Sequence, residues 1–162
     1  MSIETLSELA ESVVFELKQR NFTITTAESC TGGLLVATLL QVSGASSVLN
    51  ESYVTYSNDA KEKLLHVKAE TLMEYGAVSR ETAKEMVTGV AKAANADVAL
   101  STTGIAGPTG GTSDKPVGLV YIGCLIEGNT HVLECRLTGN RDENRWETVK
   151  CALELLATKL IT

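Results

Sequence analysis

The chain has 162 residues, 44% apolar and 21% charged, a composition that folds and is long enough for one domain (1–162) with a sizeable core. Its 20 acidic residues outnumber its 14 basic ones, which argues against nucleic acid or an anionic membrane as partner but leaves room for a small anion held by a few local cations. No apolar run reaches the ~18–20 residues of a membrane span, and the start "MSIETLSELAESVVFELKQR" lacks the basic and apolar blocks of a secretory leader.

In chain order, Leu6, Leu9, Ala10, Val13, Val14 and Leu17 recur on one side of a helix over Ile3–Arg20. Phe22 to Ala27 reads as a short strand, Gly33 to Gln41 as a buried helix, and Val48 to Ser57 as a second strand rich in β-formers. Asn58 is placed to cap a short helix through Leu65, and Ser79 another to about Ala94. Ala96 to Thr103 is an apolar strand ending in hydroxyls, followed by a Gly/Pro-rich loop over 104–116. Val117–Glu127 and Thr130–Leu137 form a hairpin, and Asn140 with Glu143 makes a capping box before a last helix to about Leu160. Helices that alternate with strands, then a late hairpin, give an α/β class: a three-layer α/β/α sandwich with a mixed central sheet.

The four cysteines, at 30, 124, 135 and 151, fit no zinc spacing and read as reduced thiols of a cytoplasmic protein, with Cys124 and Cys151 in the core. No metal is expected. Chemistry concentrates in "TAESCTGG" (26–33) and "STTGIAGPTGG" (101–111), each just after a strand, where open α/β sheets gather ligands. The first lacks the spacing of a nucleotide-binding glycine loop, and as plain structure it is a hydroxyl-rich turn capping a helix.

Read as a site, it offers Ser29 or Cys30 as a nucleophile, and either needs a base. His66 and His131 lie outside these blocks, so a lysine kept neutral by burial is the alternative, and "TYSNDAKEKL" supplies Lys61. Tyr56, just before it, is placed to bond the nucleophile or relay its proton. Such a Lys61 must be partly buried with little carboxylate contact; otherwise it is a solvated helix lysine. Cys30, Thr31, Gly32 and Gly33, at the helix start, and Gly104, Ile105, Ala106 and Gly107 offer backbone N–H groups to an oxyanion or ligand. Arg141 and Arg145, four apart, suit a phosphate or carboxylate, or ion pairs with Asp142 or a neighbouring Glu.

The blocks "TAESCTGGLL", "YVTYSNDAK", "GAVSRETA", "TTGIAGPTGG", "KPVGLVYIG" and "GNRDENR", in this order over nearly the whole chain, resemble the CinA C-terminal domain family. Within it, the chain is similar to free-standing nicotinamide-nucleotide amidohydrolases, without the molybdopterin-binding-like domain of longer members. The resemblance implies an α/β/α sandwich with a mixed, mostly parallel sheet. It implies deamidation of nicotinamide mononucleotide to nicotinate mononucleotide and ammonia, in pyridine-nucleotide salvage, without cofactor or metal. The family's catalytic serine falls on Ser29, its tyrosine and lysine on Tyr56 and Lys61, its threonine on Thr103 and its arginine on Arg141. The chain departs from the family at "LNESY" and at "GNR", where Asn140 replaces an acidic residue. A homo-oligomer is expected. The other class is a non-catalytic nucleotide-binding module.

In the expected chemistry Ser29 attacks the carboxamide carbon and Lys61, directly or through Tyr56, takes its proton. The oxyanion is held by N–H groups at the start of helix 33–41 or by the Thr103 hydroxyl, and the phosphate by an arginine.

Overall fold

The computed structural model describes residues 3–161. It has six helices and five strands among them: α1 (Ile3–Arg20), β1 (Ile24–Glu28), α2 (Leu34–Leu40), β2 (Tyr53–Val54), α3 (Asn58–Leu65), α4 (Ala69–Tyr75), α5 (Arg80–Ala94), β3 (Val98–Gly104), β4 (Leu119–Ile126), β5 (Asn129–Arg136) and α6 (Arg141–Ile161). The strands form one sheet in the order β2-β1-β3-β4-β5. β2, β1 and β3 run parallel, and β4 and β5 return antiparallel as the hairpin. The sheet is therefore mixed, with its parallel pairings meeting at β1.

β1 and β3 are buried on both faces, so their side chains sort by alternation rather than by polarity. Ile24, Val98 and Leu100 join the core formed with α1, α2 and α6, around Leu17, Leu35 and Leu153. Ala27, Ala99 and Leu125 face the other way, onto Met86, Val87 and Val90 of α5 and Leu65 of α3. These two cores make the three layers. Cys124 is fully buried, Cys151 and Cys135 are half-buried, and all four thiols are free.

The second strand is much shorter than the β-forming run 48–57. Ala45–Ser47 turns as a 3-10 helix, and the segment after it meets the outer edge of β1 by backbone at its two ends, Ile24 N–H on the Val48 carbonyl and Thr55 N–H on the Glu28 carbonyl, and by side chains between. Ser52 Oγ accepts from Thr26 N–H, and Thr25 Oγ1 donates to the Glu51 carbonyl. Polar side chains thus interrupt the ladder between an isolated bridge at Ile24 and Leu49 and the regular pairing of Tyr53 and Val54. α4 has no side-chain cap and carries no sequence signal strong enough to announce it. The cap of α3 is Ser57, one residue before Asn58, its Oγ accepting from Ala60 N–H.

At the start of α6 the capping box forms in full. Asn140 Oδ1 accepts from Glu143 N–H and Glu143 Oε2 accepts from Asn140 N–H, both at 2.9 Å. The Asn140→Ala variant removes one half of this exchange. It is expected to lose about 1 kcal/mol of stability, about 2–4 °C in Tm, read from thermal unfolding. An unchanged Tm would mean the box adds nothing to α6.

Candidate active site

β1 ends at Glu28, and Ser29 N–H continues the ladder by donating to the Thr102 carbonyl at 3.0 Å. Alternation sends Glu28 toward α2 and Ser29 toward α3. There Lys61 Nζ lies 3.1 Å from Ser29 Oγ. Lys61 reaches this point because Ser57 caps α3 and the first helical turn folds back over the extended residues before it. Its Nζ also donates to the carbonyls of Thr55, at 2.9 Å, and Tyr56, at 3.2 Å.

Lys61 is 1% exposed and makes no ion pair among the described residues. Burial without a counter-charge pulls its amine down from 10.5 to about 8. The opposing influence is a negative charge on Cys30. Burial pushes the Cys30 thiol up to about 11, so near neutral pH that charge is absent and the amine is not raised by it. A neutral amine has two N–H bonds and one lone pair. Two carbonyls take the N–H bonds, which leaves the lone pair for the Ser29 hydroxyl.

Cys30 is the next residue but belongs to the opposite core, packed with α1, α2 and α6. Its raised thiol is the reverse of an activated nucleophile. Of the two side chains the sequence offers, Ser29 is the one whose oxygen lies 3.1 Å from Lys61 Nζ, while Cys30 packs into the opposite core.

The family comparisons agree with this fold. The CinA C-terminal domain family matches residues 6–160. The chain belongs to the CinA C-terminal domain family. It is 52% identical over 157 residues to a relative from Clostridium novyi, covering 97% of this chain, and 50% identical over 153 residues to a CinA-like protein of Kosmotoga olearia, covering 94%. It spans 37% of the length of each. Among solved structures, it is 42% identical to the competence/damage inducible protein CihA of Agrobacterium tumefaciens, with a TM-score of 0.93 and coverage of 97% of this chain and 96% of that one. The competence damage-inducible protein A of Klebsiella pneumoniae is 36% identical with a TM-score of 0.94, covering 96% and 97%.

In this CinA domain several expected roles need correction. Tyr56 is 66% exposed, and it is the Tyr56 carbonyl, not the phenol, that meets Lys61. Thr103 is buried and its hydroxyl donates to the Ala77 carbonyl at 2.7 Å, so its proton is not free for an oxyanion. The start of the helix after the glycines is also taken. Gly33, Leu35 and Val36 donate their N–H groups to the Glu28 carboxylate at 2.9–3.1 Å, Gly32 N–H returns to the Ser29 carbonyl, and Leu34 N–H to the Thr31 carbonyl. Gly32 and Gly33 have φ of 58° and 103°, and this tight left-handed passage is what brings those groups to Glu28.

The arginines bind backbone rather than carboxylates. Arg141 Nη1 donates to the Gly107 carbonyl at 2.8 Å; Arg145 donates from Nε to the Cys30 carbonyl at 3.1 Å and from Nη2 to the Thr31 carbonyl at 2.9 Å. Each thus ties α6 to one of the two glycine-bearing loops. Asn144, wholly buried between them, donates to the carbonyls of Ala106 and Gly139. Gly104 ends β3, and Ile105 N–H is held by the Leu119 carbonyl. Ala106, with Arg141, lines a separate 620 Å³ depression beside Pro108 and Val117. An 840 Å³ groove lined by Thr38, Gln41 and Trp146 lies on the α1, α2 and α6 side, without Ser29 or Lys61 in its walls. His66 caps α3 at its C-terminus and His131 lies on β5, both exposed. Among the described residues no three His, Cys, Asp or Glu side chains gather as a metal cluster would require.

Glu28 and Asn144 carry no expectation from the sequence, and Thr102 only that of a hydroxyl at a strand end; all three bond within the loops around Ser29. Glu28 had a usable signal, an acid directly before a glycine-bearing helix start.

The buried amine has a consequence for stability. Unfolded, it returns to 10.5; folded, it stands near 8. Between these values the unfolded chain binds more protons, so stability rises with pH across that window and the penalty is fully present below it. Lys61→Met abolishes this dependence. From pH 8 to pH 10.5, wild type is expected to gain about 2–3 kcal/mol relative to Lys61→Met in urea denaturation. A difference that does not change with pH would show that folding leaves the amine at its ordinary value.

Proposed function

We propose that this CinA domain is a serine hydrolase that deamidates nicotinamide mononucleotide to nicotinate mononucleotide and ammonia, with Ser29 as nucleophile and Lys61 as base. The observation that carries the reading is the 3.1 Å contact between Ser29 Oγ and a wholly buried amine drawn down to about 8. An amine in that range exists in part as the free base near neutral pH, where an ordinary lysine does not. The substrate rests on the family resemblance of the "ESCTGG", "YSNDAK" and "GIAGP" blocks.

In the acylation step Ser29 Oγ forms a bond to the carboxamide carbon while its proton passes to Lys61 Nζ. The C–N bond then breaks, and Lys61 returns that proton to the leaving nitrogen, which departs as ammonia. Water adds to the resulting ester while Lys61 takes its proton; the bond from Ser29 Oγ to the carbonyl carbon then breaks, Lys61 returns the proton to Ser29 Oγ, and the acid product is released. The oxyanion donors are the N–H groups of Cys30 and Thr31, because those from Gly32 to Val36 are spent elsewhere in the turn or on Glu28. Tyr56, exposed two residues beyond β2, has its ring free to meet a bound substrate.

Purified protein is expected to release ammonia from nicotinamide mononucleotide, with kcat/KM rising as pH passes through about 8 because the amine must lose its proton. Ser29→Ala and Lys61→Met are expected to lose about three orders of magnitude or more in kcat, while Cys30→Ala, His66→Ala and His131→Ala stay within a few-fold of the parent. Tight binding of the nucleotide without ammonia release would make the domain a binding module instead. Loss of activity in Cys30→Ala with retention in Ser29→Ala would exchange the two roles.

A further inference from the structure

Three side chains outside the nucleophile–base pair converge on the turn that carries Ser29. Glu28 is wholly buried, and its described contacts are all donors: Oε1 accepts from Thr31 Oγ1 at 2.6 Å, Gly33 N–H at 3.1 Å and Leu35 N–H at 2.9 Å, and Oε2 from Val36 N–H at 3.0 Å and Thr26 Oγ1 at 3.3 Å. The Thr31 hydroxyl gives its only proton to Glu28, so in its 2.8 Å contact with Thr102 Oγ1 it is the acceptor. The hydroxyls therefore line up from Thr102 on β3, through Thr31 in the turn, to Glu28 on β1. From the other side, Arg145 holds the carbonyls of Cys30 and Thr31.

A trans peptide sets its N–H opposite its C=O. Arg145, by holding the Cys30 carbonyl, turns Thr31 N–H away from itself. Gly32 N–H, opposite the Thr31 carbonyl, returns to Ser29 O and closes the turn. Among the described hydrogen bonds, neither Cys30 N–H nor Thr31 N–H donates to another residue. The clamped turn thus leaves both groups, one and two residues after the nucleophile, without a partner in another residue; within its own residue Cys30 N–H meets the Cys30 sulfur.

We propose that Glu28 is a positioning residue of the site: acting through the Thr31 hydroxyl, its buried carboxylate fixes the turn that holds Cys30 N–H and Thr31 N–H as the oxyanion donors. The inference rests on the hydrolase reading for the role of Ser29 but not on the identity of the substrate. Glu28 faces α2, on the side of the sheet away from Lys61. Its removal therefore acts on transition-state stabilisation and leaves the titration of the base alone.

The test uses Glu28→Gln, which presents an amide N–H₂ to groups that are all donors, and Thr31→Val, which removes the linking hydroxyl at constant shape. Thr31→Ser retains that hydroxyl. Two rates are read in each folded variant: ammonia release from nicotinamide mononucleotide, and labelling of Ser29 by a fluorophosphonate. In labelling, Ser29 Oγ bonds to phosphorus, fluoride leaves, and the serine proton passes to Lys61. Glu28→Gln and Thr31→Val are expected to lower kcat and the labelling rate by about 10–10³-fold, the range seen when an oxyanion donor is lost. KM stays within about three-fold, and the pH midpoint stays where it was. Thr31→Ser, which keeps the hydroxyl that Glu28 accepts from, is expected to retain clearly higher rates than Thr31→Val. Parental rates in either Glu28→Gln or Thr31→Val, or equal damage in Thr31→Ser and Thr31→Val, would overturn the proposal; if Glu28→Gln does not fold, the two Thr31 variants decide. Wild-type protein whose Ser29 is labelled but which releases no ammonia would retire the substrate alone, and the labelling rates would still decide the role of Glu28.

Discussion

Lys61 Nζ lies among three oxygens, a hydroxyl and two carbonyls, with no carboxylate on it. That arrangement is expensive for an ammonium and tolerable for an amine, since burial penalises only the charged form. A carboxylate partner would stabilise the positive charge and end the usefulness of the lysine as a base. The site is built around leaving that charge unpaired, and the folded chain carries the cost.

The surrounding fold keeps this pair in register. β1 and β3 are buried on both faces, so their polar residues divide by alternation into two networks. On the α3 and α5 side lie Ser29 with Lys61, and Ser101 and Thr103, whose hydroxyls are bonded to backbone carbonyls. On the α1, α2 and α6 side lie Glu28, Thr31 and Thr102, linked to one another. The Ser29–Gly33 turn is where the two networks meet. Arg141, Asn144 and Arg145 then fasten α6 across both glycine-bearing loops through main-chain carbonyls. A guanidinium that binds the carbonyls of a turn fixes its peptide planes, and that is more exacting work than pairing with a surface acid.

The layer order, the hairpin and the long helices were legible because hydrophobic period and capping residues carry them; the Asn140–Glu143 box formed as its spacing suggested. The pairing of Ser29 with Lys61 was legible because few other bases were on offer and a strand-to-helix corner brings position 61 back. What was illegible is which atom of a residue acts. Tyr56 contributes a carbonyl to Lys61 where its phenol was expected, because the chain is extended there and the ring points out. Thr103 lost its expected role to the Ala77 carbonyl, which lies in a segment without chemical signal. The glycine-bearing helix start read as an anion site because its anion, Glu28, comes from the chain itself. β-propensity over 48–57 overstated the strand, since the Thr25 and Ser52 side chains interrupt the backbone ladder in its middle.

The central claim is that Lys61 is held as a base by burial without a counter-charge. Its most direct test is the titration of the Lys61 amine by NMR in the folded protein, with the resonance assigned by its loss in Lys61→Met. A midpoint near 8 is expected, well below the ordinary 10.5. A midpoint near 10.5 would contradict it, since Ser29 would then face a permanent ammonium at neutral pH.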